Sequence, residues 1–386
     1  MKRSLFFAFV AILSVSCLNK KTEKSAKLNP VETRGTSKLN TLFKPGEQGY
    51  ACFRIPAVIT TNNGSVIAFS EARKSGCSDT GDIDLVMKKS TDNGLTWSAL
   101  QVIWDDNDNV CGNPAPVLDA ETGTIHLLTT WNNGKDHESD IINGTSMDSR
   151  LIYQLTSTNN GQTWSEPKNI TSSVKKPNWT WYATGPVHGI QLKKGAHKGR
   201  LVIPCDHIEK ETKKYYSHVF YSDDHGVSWK LGGTTPFDQV NECTVAQLSN
   251  GDLLLNMRNY NREAVKARQI AISKDGGDTW IDQKFDTQLP EPRCQGALLS
   301  VKNEAKNVLL FTNPADSIAR VNMTLSVSDN DGLSWEKKIP IYESHAAYSD
   351  LTELENGNIL VLYEAGENNP YEGIHYKVIP KKNIYN

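Results

Sequence analysis

The feature that most constrains this 386-residue chain is an eight-residue element, Ser-x-Asp-x-Gly-x-Thr-Trp, that returns along its length. It reads Ser90-Thr91-Asp92-Asn93-Gly94-Leu95-Thr96-Trp97, then Ser222-Asp223-Asp224-His225-Gly226-Val227-Ser228-Trp229, then Ser273-Lys274-Asp275-Gly276-Gly277-Asp278-Thr279-Trp280. Looser copies at 157–164 and 328–335 carry Asn159 and Asn330 in place of the aspartate. The five starts are separated by 67, 65, 51 and 55 residues, a period suited to one four-stranded blade of a propeller. The residue types fit a tight turn: Asp or Asn accepts from turn amides, Gly takes a φ that other residues resist, the hydroxyls close the loop, and Trp packs between strands. An EF-hand calcium loop needs more oxygen ligands and a terminal Glu at other spacing, so these boxes report architecture rather than a cation.

Between the boxes, short apolar runs recur at 65–69, 124–128, 200–203, 252–255, 307–311 and 358–362. Pairs such as Asn63-Gly64, Asn250-Gly251 and Asn356-Gly357 bound them, so they read as strands ending in tight turns. Helical periodicity is nearly absent. About 345 residues from position 40 onward, at roughly 58 per repeat, give six units.

Lys and Arg total 42 against 44 Asp and Glu, which leaves no basic excess to hold a nucleic acid by counterion release. The N-terminus reads as a bacterial export signal over residues 1–16, with Met1-Lys2-Arg3 before an apolar stretch and small residues before Cys17. A cysteine at the cleavage point followed by a polar segment resembles a lipoprotein signal, with Cys17 lipidated. On this reading residues 17–40 form a flexible tether and 41–386 the folded domain, exported and held at a membrane only through the N-terminal lipid, as an outer-membrane lipoprotein facing periplasm or exterior; the alternative is plain export to the periplasm or medium without the lipid. Without Cys17, six cysteines remain (Cys52, Cys77, Cys111, Cys205, Cys243, Cys294), an even number that an oxidising compartment can pair. None has metal-site spacing.

Phe53-Arg54-Ile55-Pro56, placed before the first box, together with the five boxes, resembles the exo-α-sialidase (neuraminidase) family over residues from about 45 to 366. The resemblance implies an all-β, six-bladed β-propeller and a substrate bearing a terminal sialic acid, on glycans, glycoproteins or glycolipids. Planar guanidinium groups bind a carboxylate through paired, charge-assisted hydrogen bonds, and the family uses three arginines for the carboxylate of sialic acid. The matching positions are Arg54, Arg258 in Leu254-Leu255-Asn256-Met257-Arg258, and Arg320 in Ser317-Ile318-Ala319-Arg320, with Arg293 as the fallback for the third.

Sialidases use a tyrosine nucleophile where other glycosidases use a carboxylate; a carboxylate attacking a carbon that already bears one meets like-charge repulsion. The resemblance assigns this role to Tyr348, in Ala346-Ala347-Tyr348-Ser349-Asp350, and its base to Glu242, in Asn241-Glu242-Cys243. It assigns the general acid to Asp79 on the loop within the segment 71–82, in preference to the nearby Asp82 and Asp84. Arg73 is implied to contact the sugar near C4, and Glu364 to orient the first arginine. The segments 112–116, 185–191 and 293–296 are expected at the pocket or its rim, with His188 open to a structural role. The mechanism needs no cofactor or metal. Transfer to an acceptor sugar and non-catalytic sialic-acid binding are the alternatives to hydrolysis.

Overall fold

The computed structural model describes residues 39–304 and 306–385. The export signal over residues 1–16, the lipidation at Cys17 and the tether up to residue 38 lie outside the described residues. Among the described residues the chain is all-β, with three short helices, Glu138–Asn143, Thr171–Val174 and Lys382–Tyr385.

The repeating unit is an antiparallel four-stranded meander. Its first copy runs Cys52–Thr60, Val66–Arg73, Ile83–Ser90 and Gln101–Trp104. The next begins at Val110–Leu118 and touches the first through a single parallel pair, Ile83 with Val110. Every apolar run seen in the sequence falls in the second strand of a meander, such as Val66–Arg73 and Ile359–Gly366, both buried along their whole length. Neighbouring meanders cover these strands on both faces, which is why they read as continuous apolar runs rather than alternating ones. One such layer joins Ala246, Leu254, Leu298, Leu309 and Phe311 beneath Trp335 of the last box.

The first strands pack on one another around a ring. Cys52–Thr60 contacts Val110–Leu118, and the latter contacts Trp179–Thr184; the third meander meets the fourth through its second strand, Leu201–Glu209 against Val240–Gln247, and Ala297–Asn303 and the long strand Lys337–Glu353 return the ring to Cys52–Thr60. Lys337–Glu353 serves two meanders, pairing first with Val321–Ser328 and then with Ile359–Gly366. The last meander takes its fourth strand from the other end of the chain: Asn40–Phe43 pairs with Ile374–Ile379. Among the described residues the first strand thus begins at Asn40. This closure also explains why the last meander has no box, since no turn connects its third strand to its fourth.

Each box starts on the last residue of a third strand, and all five build the same turn. In the first, Ser90 Oγ donates to Asp92 Oδ1 at 2.7 Å and accepts the Gly94 amide at 2.9 Å, while Asp92 accepts the Thr96 amide and hydroxyl at 2.9 and 2.5 Å. Gly94 sits at φ 82°, which a side chain resists. Donors from Thr96 and Ser90 hold the Asp92 carboxyl down to about 2, and Asp224 and Asp275 are lowered as well, hydrogen bonds to their boxes outweighing desolvation. A carboxylate whose folded pKa lies below its unfolded value stabilises the fold above about pH 4 and loses that contribution as pH falls toward 2. Replacing Asp92, Asp224 and Asp275 by Asn, the residue of the other two boxes, should therefore flatten the fall in thermal midpoint between pH 4 and 2. Parallel pH curves for wild type and triple variant would refute this.

Of the six cysteines only Cys52 and Cys77 are bridged. Cys111, Cys205, Cys243 and Cys294 are free and buried, each in a different apolar cluster, so the even count does not translate into full pairing.

Candidate active site

Four first strands lose regular register where the sequence placed its functional segments: between Arg54 and Ala57, Gly112 and Ala115, Val240 and Cys243, and Ala346 and Ser349. An extra residue in a strand bends it and re-aims its side chains. At the first of these Ile55 takes φ 60°, an unfavourable conformation for a β-branched residue, and its amide is held by Glu364 Oε1 at 2.9 Å.

These irregular segments open onto a cavity of about 310 Å³. Seven of the expected residues line it together: Arg54, Arg73, Asp79, Glu242, Arg258, Arg320 and Tyr348. The eighth, Glu364, is fully buried behind them.

Tyr348 and Glu242 come from strands 106 residues apart, yet Tyr348 Oη donates to Glu242 Oε1 at 2.6 Å. Arg258 Nη1 bridges the pair, donating to Glu242 Oε2 at 2.6 Å and to Tyr348 Oη at 3.1 Å. Burial and the Glu242 charge push the phenol pKa well above 10, against the pull of Arg258 and Arg320. The resting phenol therefore keeps its proton, already aimed at a carboxylate.

Glu364 ties two segments with one carboxylate. Its Oε1 and Oε2 accept from Arg54 Nε and Nη2, both at 3.1 Å, in a bidentate pair; the same two oxygens accept the amides of Ile55 and Tyr348 at 2.9 and 3.2 Å. The arginine and the tyrosine are thus located relative to each other by a group that never meets solvent.

Asp79 is different. Its side chain is 66 % exposed, and its Oδ1 lies 2.7 Å from Arg73 Nη2 and 3.6 Å from Arg54 Nη1. Desolvation pushes its pKa up, but the Arg73 and Arg54 guanidiniums outweigh this and hold the carboxyl below the ordinary aspartate value. The rival acids point elsewhere: Asp84 accepts from Tyr50 Oη at 2.6 Å, and Asp82 pairs with Lys74 at 3.1 Å.

Arg320 reaches the cavity by donating to Tyr371 Oη at 2.8 Å and to the Arg293 carbonyl at 3.1 Å. Arg293 itself stacks over Tyr260, 5.1 Å from its centroid, and does not line the cavity. Asn113 lines the cavity, whereas the segment 185–191 does not: His188 Nδ1 is bonded to Asp350 Oδ1 at 2.6 Å, a structural histidine. Gln295 bonds the Ser349 amide and carbonyl and so shapes the strand of Tyr348.

The sequence reading missed Glu71 and Tyr371. Glu71 Oε2 accepts from Arg73 Nε at 3.1 Å and Nη2 at 2.5 Å, while its Oε1 accepts the Asn113 amide at 2.8 Å. Gly112 makes room for it, since a Cβ there would sit 2.6 Å from Glu71 Oε1. Tyr371 lies under Arg54, whose Cζ is 4.2 Å from the ring centroid. The two-residue spacing of Glu71 and Arg73 along one strand face was the available signal for the first; Tyr371 lies in a turn and left none.

Repeated meanders, five boxes of one geometry and a cavity at the irregular ends of the first strands define a repeat protein of the BNR class. The family model described as BNR repeat-like domain matches residues 64–361. The chain is 31 % identical to a sialidase of Bacteroides fragilis over 341 residues, 83 % of this chain and 61 % of that protein. It is also 31 % identical to a sialidase of Paraclostridium sordellii, over 83 % of each. Among solved structures, Hadza microbial sialidase Hz136 superposes with a TM-score of 0.80 at 30 % identity, over 89 % of this chain and 68 % of that one. The chain belongs to the sialidase family. It spans 61 % and 51 % of the lengths of its Bacteroides fragilis and Micromonospora viridifaciens relatives.

Proposed function

We propose that this chain is an exo-α-sialidase that hydrolyses terminal α-linked sialic acids with retention, on a six-bladed propeller. The observation that carries the reading is the Tyr348–Glu242–Arg258 arrangement at 2.6 to 3.1 Å, in a cavity where Arg54 and Arg320 also converge. Six meanders, the last completed by Asn40–Phe43, support the blade count.

Arg54, Arg258 and Arg320 receive the substrate carboxylate, and Arg73 meets the sugar near C4. A carboxylate among these guanidiniums offsets the field that keeps Asp79 ionised, so its pKa rises toward that of a useful acid. Asp79 then protonates the departing oxygen. Tyr348 Oη attacks the oxocarbenium-like anomeric carbon while its proton passes to Glu242 Oε1. Water, deprotonated by Asp79, attacks the same carbon in the second step, the Tyr348 oxygen leaves and regains its proton from Glu242, and two inversions give net retention. Acid, base and nucleophile all stand in one cavity, which favours turnover over simple binding. Export and lipidation at Cys17 belong to the same reading; the Cys52–Cys77 bond supports export, since disulfides persist in oxidising compartments.

The test is release of a fluorogenic phenol from its α-sialoside, with the first-formed sugar anomer followed by NMR. Release with the α-anomer appearing first is expected. The β-anomer first would overturn the tyrosine pathway, and no release by protein that still binds sialic acid would favour a lectin. Sialyllactose formed on adding lactose would mark a transferase.

A further inference from the structure

The loop 74–82 that carries Asp79 has little to hold it. Residues Lys74, Ser75, Cys77, Ser78 and Asp79 are exposed. Among the described residues its backbone hydrogen bonds lie at its ends, from the Lys74 amide to Asp82 O at 3.1 Å and from the Gly81 amide to Gly134 O at 2.9 Å. Besides the pairing of Asp79 Oδ1 with Arg73 Nη2 at 2.7 Å, two attachments reach its middle. Arg73 Nη1 donates to Cys77 O at 2.7 Å and Ser78 O at 2.9 Å, and Cys77 is disulfide-bonded to Cys52. Cys52 is fully buried at the start of the strand Cys52–Thr60, two residues before Arg54, and pairs in register with Arg73. The bond therefore fastens the loop, two residues before Asp79, to the strand that presents the first arginine.

We propose that the Cys52–Cys77 disulfide is a positioning element for proton delivery: it keeps Asp79 over Arg54 and Arg73, and breaking it slows leaving-group protonation while sugar binding persists. This rests on Asp79 being the acid. A displacement near 1 Å at a reacting group costs on the order of 10²-fold, so a loop released from the bond need shift only slightly to slow proton delivery. Arg54 and Arg258 stand on the strands Cys52–Thr60 and Leu253–Asn259, and Arg320 on the bend just before Val321–Ser328, so none of the three is carried by the loop. Cys77 is exposed, so a small thiol reagent reaches the bond.

The experiment compares two substrates with the same sugar: an aryl α-sialoside, whose phenol departs with little help, and sialyllactose, whose alcohol must be protonated. For the full chain carrying Cys52→Ala and Cys77→Ala, kcat on sialyllactose should fall about 30-fold and on the aryl sialoside less than about 3-fold. Binding of free sialic acid should stay within about twofold, as expected when the arginines are undisturbed. Asp79→Ala should show the same asymmetry, larger.

The wild type treated with dithiothreitol under native conditions supplies the second readout, needing no refolding. The reagent passes two electrons and its two thiol protons to the bridge and closes to a cyclic disulfide, leaving Cys52 and Cys77 as thiols that titration counts. Reduced enzyme should reproduce the asymmetry of the alanine pair. Unchanged rates, or equal losses on both substrates, would overturn the proposal. So would loss of sialic-acid binding in both forms, which would make the bond a general constraint on the fold. Symmetric loss in Asp79→Ala instead removes the acid assignment itself, a separate failure.

Discussion

Tyr348→Phe should lower kcat by at least about 10³-fold, some 4 kcal/mol of transition-state stabilisation, with KM changed little. The reason is local. Phe fills the same space, keeps water from the vacated position and leaves Glu242 paired with Arg258 Nη1 at 2.6 Å, so no buried charge is stranded. What disappears is the one oxygen that both donates to Glu242 and stands ready to attack. Binding of sialic acid should persist, because Arg54, Arg258 and Arg320 remain. Steady-state kinetics on an aryl sialoside, with titration of free sialic acid, measures both. Retained turnover would move the nucleophile elsewhere and leave the Tyr348–Glu242 contact as packing.

Glu364→Ala should have the larger effect on stability. It removes a fully buried carboxylate that accepts four hydrogen bonds, from Arg54 Nε and Nη2 and from the amides of Ile55 and Tyr348. Breaking a buried pair strands the other charge, at a cost of about 3–5 kcal/mol. Two backbone amides lose their acceptor as well, one of them on Ile55 at φ 60°. Denaturant unfolding should show this loss. Kinetically, KM should rise and kcat fall together, since one change loosens both Arg54 and the segment carrying Tyr348, the groups proposed to bind the carboxylate and to attack. Glu364→Gln, with one acceptor oxygen and the same volume, should recover part of both. An unchanged unfolding midpoint in Glu364→Ala would show that Arg54 is held by its other neighbours.

Much of the fold was legible in the sequence because its signals are local. Each box closes within eight residues, so its pattern survives in one dimension, and the second strands read as apolar runs because both faces are covered. The seven expected residues that line the cavity were singled out through short segments whose contexts resemble one family. The free state of Cys111, Cys205, Cys243 and Cys294 was not legible, since residue counting says nothing of which clusters they enter. Nor was the role of Tyr371, which lies in a turn without a motif and meets Arg54 only after the chain has closed.

Sequence alone determined the repeating unit and the strand-and-turn alternation, both set by interactions among neighbours in the chain, and its short motifs pointed to the side chains that line the cavity. Tertiary structure decided the rest. Closure through Asn40–Phe43 and Ile374–Ile379, the register breaks that aim Arg54, Glu242 and Tyr348 inward, and the single carboxylate joining Arg54 to Tyr348 all couple residues far apart in sequence. Arg54 and Glu364 stand 310 positions apart, and only packing of the first strands around a common ring brings their charges to 3.1 Å.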